Sequence, residues 1–196
     1  MSTGRLVIIS GPAGAGKSTV VDRLLRECPL PLAASISATT RAPRPGEEHG
    51  VDYYFLTDQE FQKRRQAGEF LECCEVFGRG RWYGTLRNEV ASGLAAGKWV
   101  ILEIDVEGAM KVLNQGAEAV TVFIHPGSME ELERRLRGRR TEAAPDIERR
   151  LEVARHEMTF APRYTHVVVN QKVDQAVREI CEILTRIHKG EACSTN

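Results

Sequence analysis

Between the apolar run Leu6-Val7-Ile8-Ile9 and an amphipathic run from Thr19 stands Gly11-Pro12-Ala13-Gly14-Ala15-Gly16-Lys17-Ser18. Strand, glycine-rich turn and helix in that order leave few folds open, because the turn must aim successive backbone N–H groups at one point ahead of a helix N-terminus. This is a phosphate-binding loop (P-loop), and it points to a nucleoside triphosphate as ligand. Lys17 is placed to reach the β- and γ-phosphates and Ser18 to ligate Mg²⁺. Thr19 opens a helix whose apolar face carries Val20, Val21, Leu24 and Leu25.

Charge and cysteine content narrow the class further. The 196 residues carry 27 basic and 27 acidic side chains, so no global field draws the chain to nucleic acid or an anionic membrane. The length suits one globular domain with mobile appendages. No apolar run approaches a membrane span, and a strand begins too early for a signal peptide, so a cytoplasmic location is expected. Cys28, Cys73, Cys74, Cys181 and Cys193 form no metal-like pair of pairs and read as reduced thiols.

Strands and helices alternate along the chain. Residues 51–55 read as a strand, and Thr57 with Glu60 makes a capping box for a helix that Gly68 ends. Residues 70–77 and 81–84 read as extended, a helix from about Leu86 stops at Gly97, and residues 99–105 form a buried strand ending in carboxylates. Residues 120–124 are another strand, Ser128 and Glu131 cap an Arg-rich helix, and Pro145 opens one more. Residues 167–170 are the last strand, and 173–187 have helical spacing. The fold class is therefore α/β, a parallel sheet wrapped by helices with its ligand at the C-terminal strand edges. Consecutive short strands mark an inserted α+β lobe, and helices alone mark a lid.

Several motifs resemble the guanylate kinase family, whose members are P-loop nucleoside monophosphate kinases. They are the P-loop, Ser37-Ala38-Thr39-Thr40-Arg41-Ala42-Pro43-Arg44-Pro45-Gly46-Glu47, Gly50-Val51-Asp52-Tyr53, Gly68-Glu69-Phe70-Leu71-Glu72, Tyr83-Gly84-Thr85, Ile104-Asp105 and Arg139-Arg140-Thr141-Glu142. The resemblance runs over nearly the whole chain. It implies a domain over 4–187, with a core near 4–37, 89–127 and 158–187, a GMP-binding lobe near 38–88, a lid near 128–157, and a tail at 188–196. It implies ATP-dependent phosphorylation of GMP to GDP, with dGMP a second acceptor and Mg²⁺ as cofactor. A kinase of a phosphorylated sugar and a non-catalytic binding module are the alternatives. ATP and GMP are the expected partners, nucleic acid and membrane are not, and a homo-oligomer stays open.

Site roles follow from the resemblance, residue by residue. It assigns ATP to Gly11, Pro12, Ala13, Gly14, Ala15, Gly16, Lys17, Ser18, Thr19 and Asn170, and phosphoryl transfer to Lys17, Arg135, Arg139 and Arg150. It assigns GMP to Ser37, Arg41, Arg44, Tyr53, Glu72, Tyr83, Thr85, Glu103 and Asp105, and Mg²⁺ to Ser18 and Asp105. The chemistry is coherent: a carboxylate accepts from guanine N1–H and N2–H₂ while hydroxyls donate to O6, and forked arginines with phenols bind phosphate. Without the resemblance, Glu72 reads first as a solvated strand carboxylate, Arg41 and Arg44 as loop charges, and Tyr53 and Tyr83 as half-buried aromatics; for Asp105 the alternative is the partner of a buried arginine. Arg134, Arg137, Arg140 and Arg149 read as solvated or paired with nearby glutamates. The five histidines need no catalytic role, since an ionised GMP phosphate is already a nucleophile. The turn 78–82 is about two residues longer than the family's usual one.

Overall fold

The computed structural model describes residues 4–75, 80–138 and 144–190. In chain order the strands are β1 (Arg5–Ser10), β2 (Leu32–Ala34), β3 (Ser37–Thr39), β4 (Tyr54–Phe55), β5 (Phe70–Glu75), β6 (Trp82–Leu86), β7 (Trp99–Glu103), β8 (Ala119–His125) and β9 (His166–Val169). The α-helices are α1 (Lys17–Glu27), α2 (Asp58–Gln66), α3 (Arg87–Ala95), α4 (Val106–Asn114), α5 (Met129–Gly138), α6 (Ala144–Met158) and α7 (Val173–His188). They build a five-stranded sheet in the order β2-β7-β1-β8-β9 and a four-stranded sheet in the order β4-β3-β6-β5.

Burial separates the two sheets as the sequence pattern does. In β1 every residue after Arg5 is buried, and in β7 Trp99 to Leu102 are buried, as in strands covered on both faces. β8 and β9 pair in parallel, from Val122 opposite His166 to His125 opposite Val169. In β5 burial alternates residue by residue, which marks a sheet with one covered face. There β3 and β5 each pair antiparallel with β6. This second sheet with α2 is the α+β insertion that consecutive short strands imply.

By their contacts the residues fall into two compact units. One takes in the residues up to Val7, Ala33–Leu102 and Glu107–Ala119; the other takes in Ile8–Leu32, Glu103–Val106 and the residues from Val120 on. The first holds the four-stranded sheet, with a core of Ala38, Phe61, Phe70 and Leu86. Phe61 stacks on Phe70 with ring centroids 4.4 Å apart. The second holds the P-loop, α1 and α7, and the helical hairpin α5–α6 with its own core of Leu132, Leu136, Ile147, Leu151 and Ala154. The helices expected as a lid thus share a unit with the P-loop. Cys28, which follows α1, and Cys181 on α7 bring their sulfurs to 2.7 Å, and burial foremost pushes the Cys28 thiol up to about 11. Among the described residues all cysteines are free thiols.

Local signals reappear as geometry. Thr57 accepts from Glu60 N at 3.2 Å and Glu60 accepts from Thr57 N at 2.8 Å, closing the capping box of α2, and Gly68 ends the helix at φ +72°. Glu131 N donates to Ser128 Oγ at 3.2 Å, but the Glu131 carboxylate turns along α5 to Arg134 and Arg135, each at 2.7 Å. Two expectations need correction. The strand read at 51–55 shrinks to Tyr54–Phe55, because Val51 N and Asp52 N both donate to the Glu48 carbonyl and Gly50 turns at φ +80°. Helix α4 was not foreseen, although Val106, Ala109, Met110 and Val112 give it a buried face. Residues 76–77 of the extended stretch, and 78–79 of the turn 78–82, lie outside the described residues. No described helix is long and apolar enough to cross a membrane.

Candidate active site

The P-loop leaves β1 through backbone that only glycine adopts freely. Gly11, Gly14 and Gly16 have φ of +141°, +95° and +90°. A Cβ on Gly16 would stand 2.6 Å from Asn170 Nδ2. That amide donates to Ala15 O at 2.8 Å, so Asn170 at the end of β9 braces the loop from outside. Gly16→Ala combines a left-handed alanine, costing about 1–2 kcal/mol, with this collision. Chemical denaturation should show at least that loss, and triphosphate affinity should fall with it.

Lys17 opens α1 and folds back along the loop, where Nζ donates to Gly11 O at 2.7 Å and Pro12 O at 3.3 Å. Ser18 Oγ donates to Glu103 Oε1 at 2.6 Å. Glu103, grouped with the GMP ligands in the sequence reading, therefore meets the P-loop serine, and Asp105 follows it in the same unit. A serine hydroxyl and a carboxylate at a helix start are hard oxygen donors of the kind that suit Mg²⁺, which keeps the rest of its shell as water and phosphate oxygens.

Arg135 reaches this loop from α5. Its Nη2 donates to Asn170 O at 2.6 Å, its Nη1 to Ala15 O at 3.4 Å, and its Nε to Glu131 at 2.7 Å. Asn170 is buried, and its Oδ1 is a sheltered acceptor with no partner among the described residues. Arg150 lies on α6 in the same unit; Arg139 lies outside the described residues. Arg134 pairs with Glu131 and Arg137 with Glu133, as their helical spacing implies.

The second group assembles on the four-stranded sheet. Strand register sets Ser37 on β3 opposite Thr85 on β6, and Thr85 opposite Glu72 on β5. Three polar side chains thus stand in one row across three strands, after an irregularity between Phe70 and Glu72. Thr85 Oγ1 donates to Glu72 Oε1 at 2.7 Å, and both residues are buried. Two residues along, about 7 Å in strand rise, Thr39 pairs with Tyr83. Tyr83 Oη accepts from Arg41 Nε at 3.2 Å. The Arg41 guanidinium lies 5.3 Å over the Tyr53 ring, and the Tyr53 and Tyr83 rings meet edge to face at 6.0 Å. Ser37, Arg41, Tyr53, Glu72, Tyr83 and Thr85 are therefore brought together, and exposed Arg44 lies on the loop beside them.

Glu47 is the residue here to which sequence reasoning gave no role. It forks onto Arg41, with Oε2 2.8 Å from Nη1 and Oε1 2.9 Å from Nη2, and it accepts from Arg44 N at 2.7 Å. The Arg41 bond foremost, then the Arg44 amide, hold its carboxyl down at about 2. A carboxyl depressed on folding contributes stability above its ordinary value of about 4.3 and loses it as pH falls towards the folded value. Glu131 is lowered to about 2 in the same way, by Arg134 and then Arg135. Unfolding titrations should therefore show stability declining as pH falls from about 4.5 towards 2. Glu47→Gln should flatten part of that decline.

A P-loop on an α/β sheet, in a chain whose inserted sheet gathers arginine, phenol and a buried carboxylate, defines a P-loop kinase of small phosphorylated acceptors. The guanylate kinase family model matches residues 3–187. A guanylate kinase of Rhodopirellula baltica is 59% identical over 98% of this chain and 93% of its own length. One of Corynebacterium diphtheriae is 48% identical over 92% of this chain and 94% of its own length. The crystal structure of a guanylate kinase from Anaplasma phagocytophilum superposes with a TM-score of 0.78 at 34% identity, covering 96% of this chain and 88% of that one. The chain belongs to the guanylate kinase family.

Proposed function

We infer that this protein transfers the γ-phosphoryl group of ATP to the phosphate of GMP, giving ADP and GDP, with dGMP as a second acceptor and the cytoplasm as its place of work. The row Ser37, Thr85 and Glu72 carries the reading. A buried carboxylate facing guanine accepts from N1–H and N2–H₂, whereas adenine, with an acceptor at N1, would leave it unmatched. Thr85 has one proton and gives it to Glu72, which leaves the threonine only acceptor capacity. The donor to O6 is then Ser37. Arg41, Arg44, Tyr53 and Tyr83 hold the monophosphate.

The GMP phosphate is ionised near neutral pH, so one of its oxygens attacks the γ-phosphorus with no general base. Charge neutralisation and alignment remain as the protein's work. Lys17 and the P-loop amides hold the β- and γ-phosphates, and Arg135, Arg139 and Arg150 take up charge as it spreads over the transferring oxygens. Ser18, with Glu103 and Asp105 behind it, would hold Mg²⁺, which when bound neutralises and orients the ATP phosphates. Asn170 Oδ1, buried and lacking a partner among the described residues, suits the exocyclic amine of adenine.

A coupled assay of ADP release tests the reading, with GMP, dGMP, AMP, other nucleoside monophosphates and a phosphorylated sugar offered as acceptors. GMP turnover well above that of AMP is expected. Equal turnover with AMP or preference for the sugar would overturn the base assignment, and binding of GMP with no turnover would leave a non-catalytic module.

A further inference from the structure

Arg41 has five N–H donors, and the protein itself takes four of them. Nε donates to Tyr83 Oη at 3.2 Å, Nη1 to Ala42 O and to Glu47 Oε2 at 2.8 Å each, and Nη2 to Glu47 Oε1 at 2.9 Å. Two rings flank the guanidinium as well, Tyr53 at 5.3 Å and Phe55 at 5.7 Å to the ring centroids, with 5.8 Å between those two centroids. Only 7% of the side chain is exposed. An arginine held this way cannot turn a two-pronged fork onto a phosphate; one Nη2–H and the fixed positive charge are what it has left among the described residues.

The group that fixes it is Glu47, and Glu47 does a second thing. It accepts from Arg44 N at 2.7 Å, while its own N–H donates to Arg44 O at 3.0 Å, closing the turn through Gly46 at φ +88°. The Arg44 guanidinium is left exposed on that turn, with no ion pair among the described residues. One carboxylate thus sets both the buried arginine and the backbone that carries the exposed one.

We propose that Glu47 is a positioning residue for the acceptor phosphate: it locks Arg41 as a single-donor anchor and shapes the turn that presents Arg44 as the forked, adaptable clamp. The proposal rests on the reading that GMP binds at this sheet. It differs from exchange, in which Glu47 would merely fill the place of an absent phosphate and leave when one arrives. Under locking, loss of the carboxylate weakens phosphate binding; under exchange, it strengthens it.

Equilibrium binding of GMP and of guanosine to wild type, Glu47→Gln and Glu47→Asp separates these cases, with kinetics on the same preparations. Glu47→Gln should weaken GMP binding by about 10–100-fold, the range for lost charge-assisted hydrogen bonds. Guanosine binding and KM for ATP should hold within about twofold. Glu47→Asp keeps the charge but not the reach, so it should fall between, and it serves should Glu47→Gln not fold. Unchanged or tighter GMP binding in the folded variants would overturn the proposal, as would a parallel loss of guanosine, which would mark Glu47 as a brace for the whole lobe. Wild-type protein that fails to bind GMP would instead overturn the substrate reading.

Discussion

Lys17→Ala should lower kcat for phosphoryl transfer by at least roughly 10²–10³-fold, the range for deleting one preorganised donor to a developing anion, while the protein stays folded. The Lys17 ammonium donates to two loop carbonyls, Gly11 O at 2.7 Å and Pro12 O at 3.3 Å. Neither contact ties two elements of the core together, so the thermal midpoint should move little. The ammonium's charge has no substitute within the loop, whose other donors, backbone N–H groups and the Ser18 hydroxyl, are neutral. Steady-state turnover measured beside thermal unfolding checks both halves. A folded variant with near-normal turnover would remove the P-loop from the chemistry.

Glu72→Gln should cost GMP about 2–4 kcal/mol in kcat/KM and AMP much less. The change replaces one of two carboxylate acceptors by an amide donor, which then faces a donor of guanine. Thr85 can keep its bond by donating to the remaining oxygen, so the β5–β6 pairing should survive. The quantity to compare is the GMP to AMP efficiency ratio in wild type and variant under the same conditions. An unchanged ratio would mean that Glu72 does not read the base.

Much of this architecture was legible because its signals are local. The P-loop needs positive-φ glycines between a strand and a helix, and the chain writes Gly11, Gly14 and Gly16 there. The α2 capping box needs only Thr57 and Glu60, three residues apart. What could not be read were pairings that the fold alone decides. Ser18 meets Glu103 across 85 positions of sequence, and Arg135 meets the Asn170 carbonyl across 35. The bond from Thr85 to Glu72 depends on register, with Glu72 set opposite Thr85 after the irregularity in β5. At Ser128 the local rule was half right, because Glu131 had two arginines on its own helix competing for its carboxylate. Glu47 carried a readable hint in standing just past the Pro43-Arg44-Pro45-Gly46 turn, but only the folded loop shows that it grips both Arg41 and the Arg44 amide.

The central claim is that one chain reads guanine on its inserted sheet and moves a phosphoryl group from its P-loop ligand to that guanine nucleotide. Phosphorus NMR of a mixture of ATP, GMP and Mg²⁺ with the protein follows that transfer atom by atom. The account predicts that the γ-phosphorus signal of ATP declines while ADP and the β-phosphorus signal of GDP grow in equal amounts, with AMP in place of GMP giving far slower change. Release of inorganic phosphate without GDP, or conversion of AMP as fast as GMP, would contradict it.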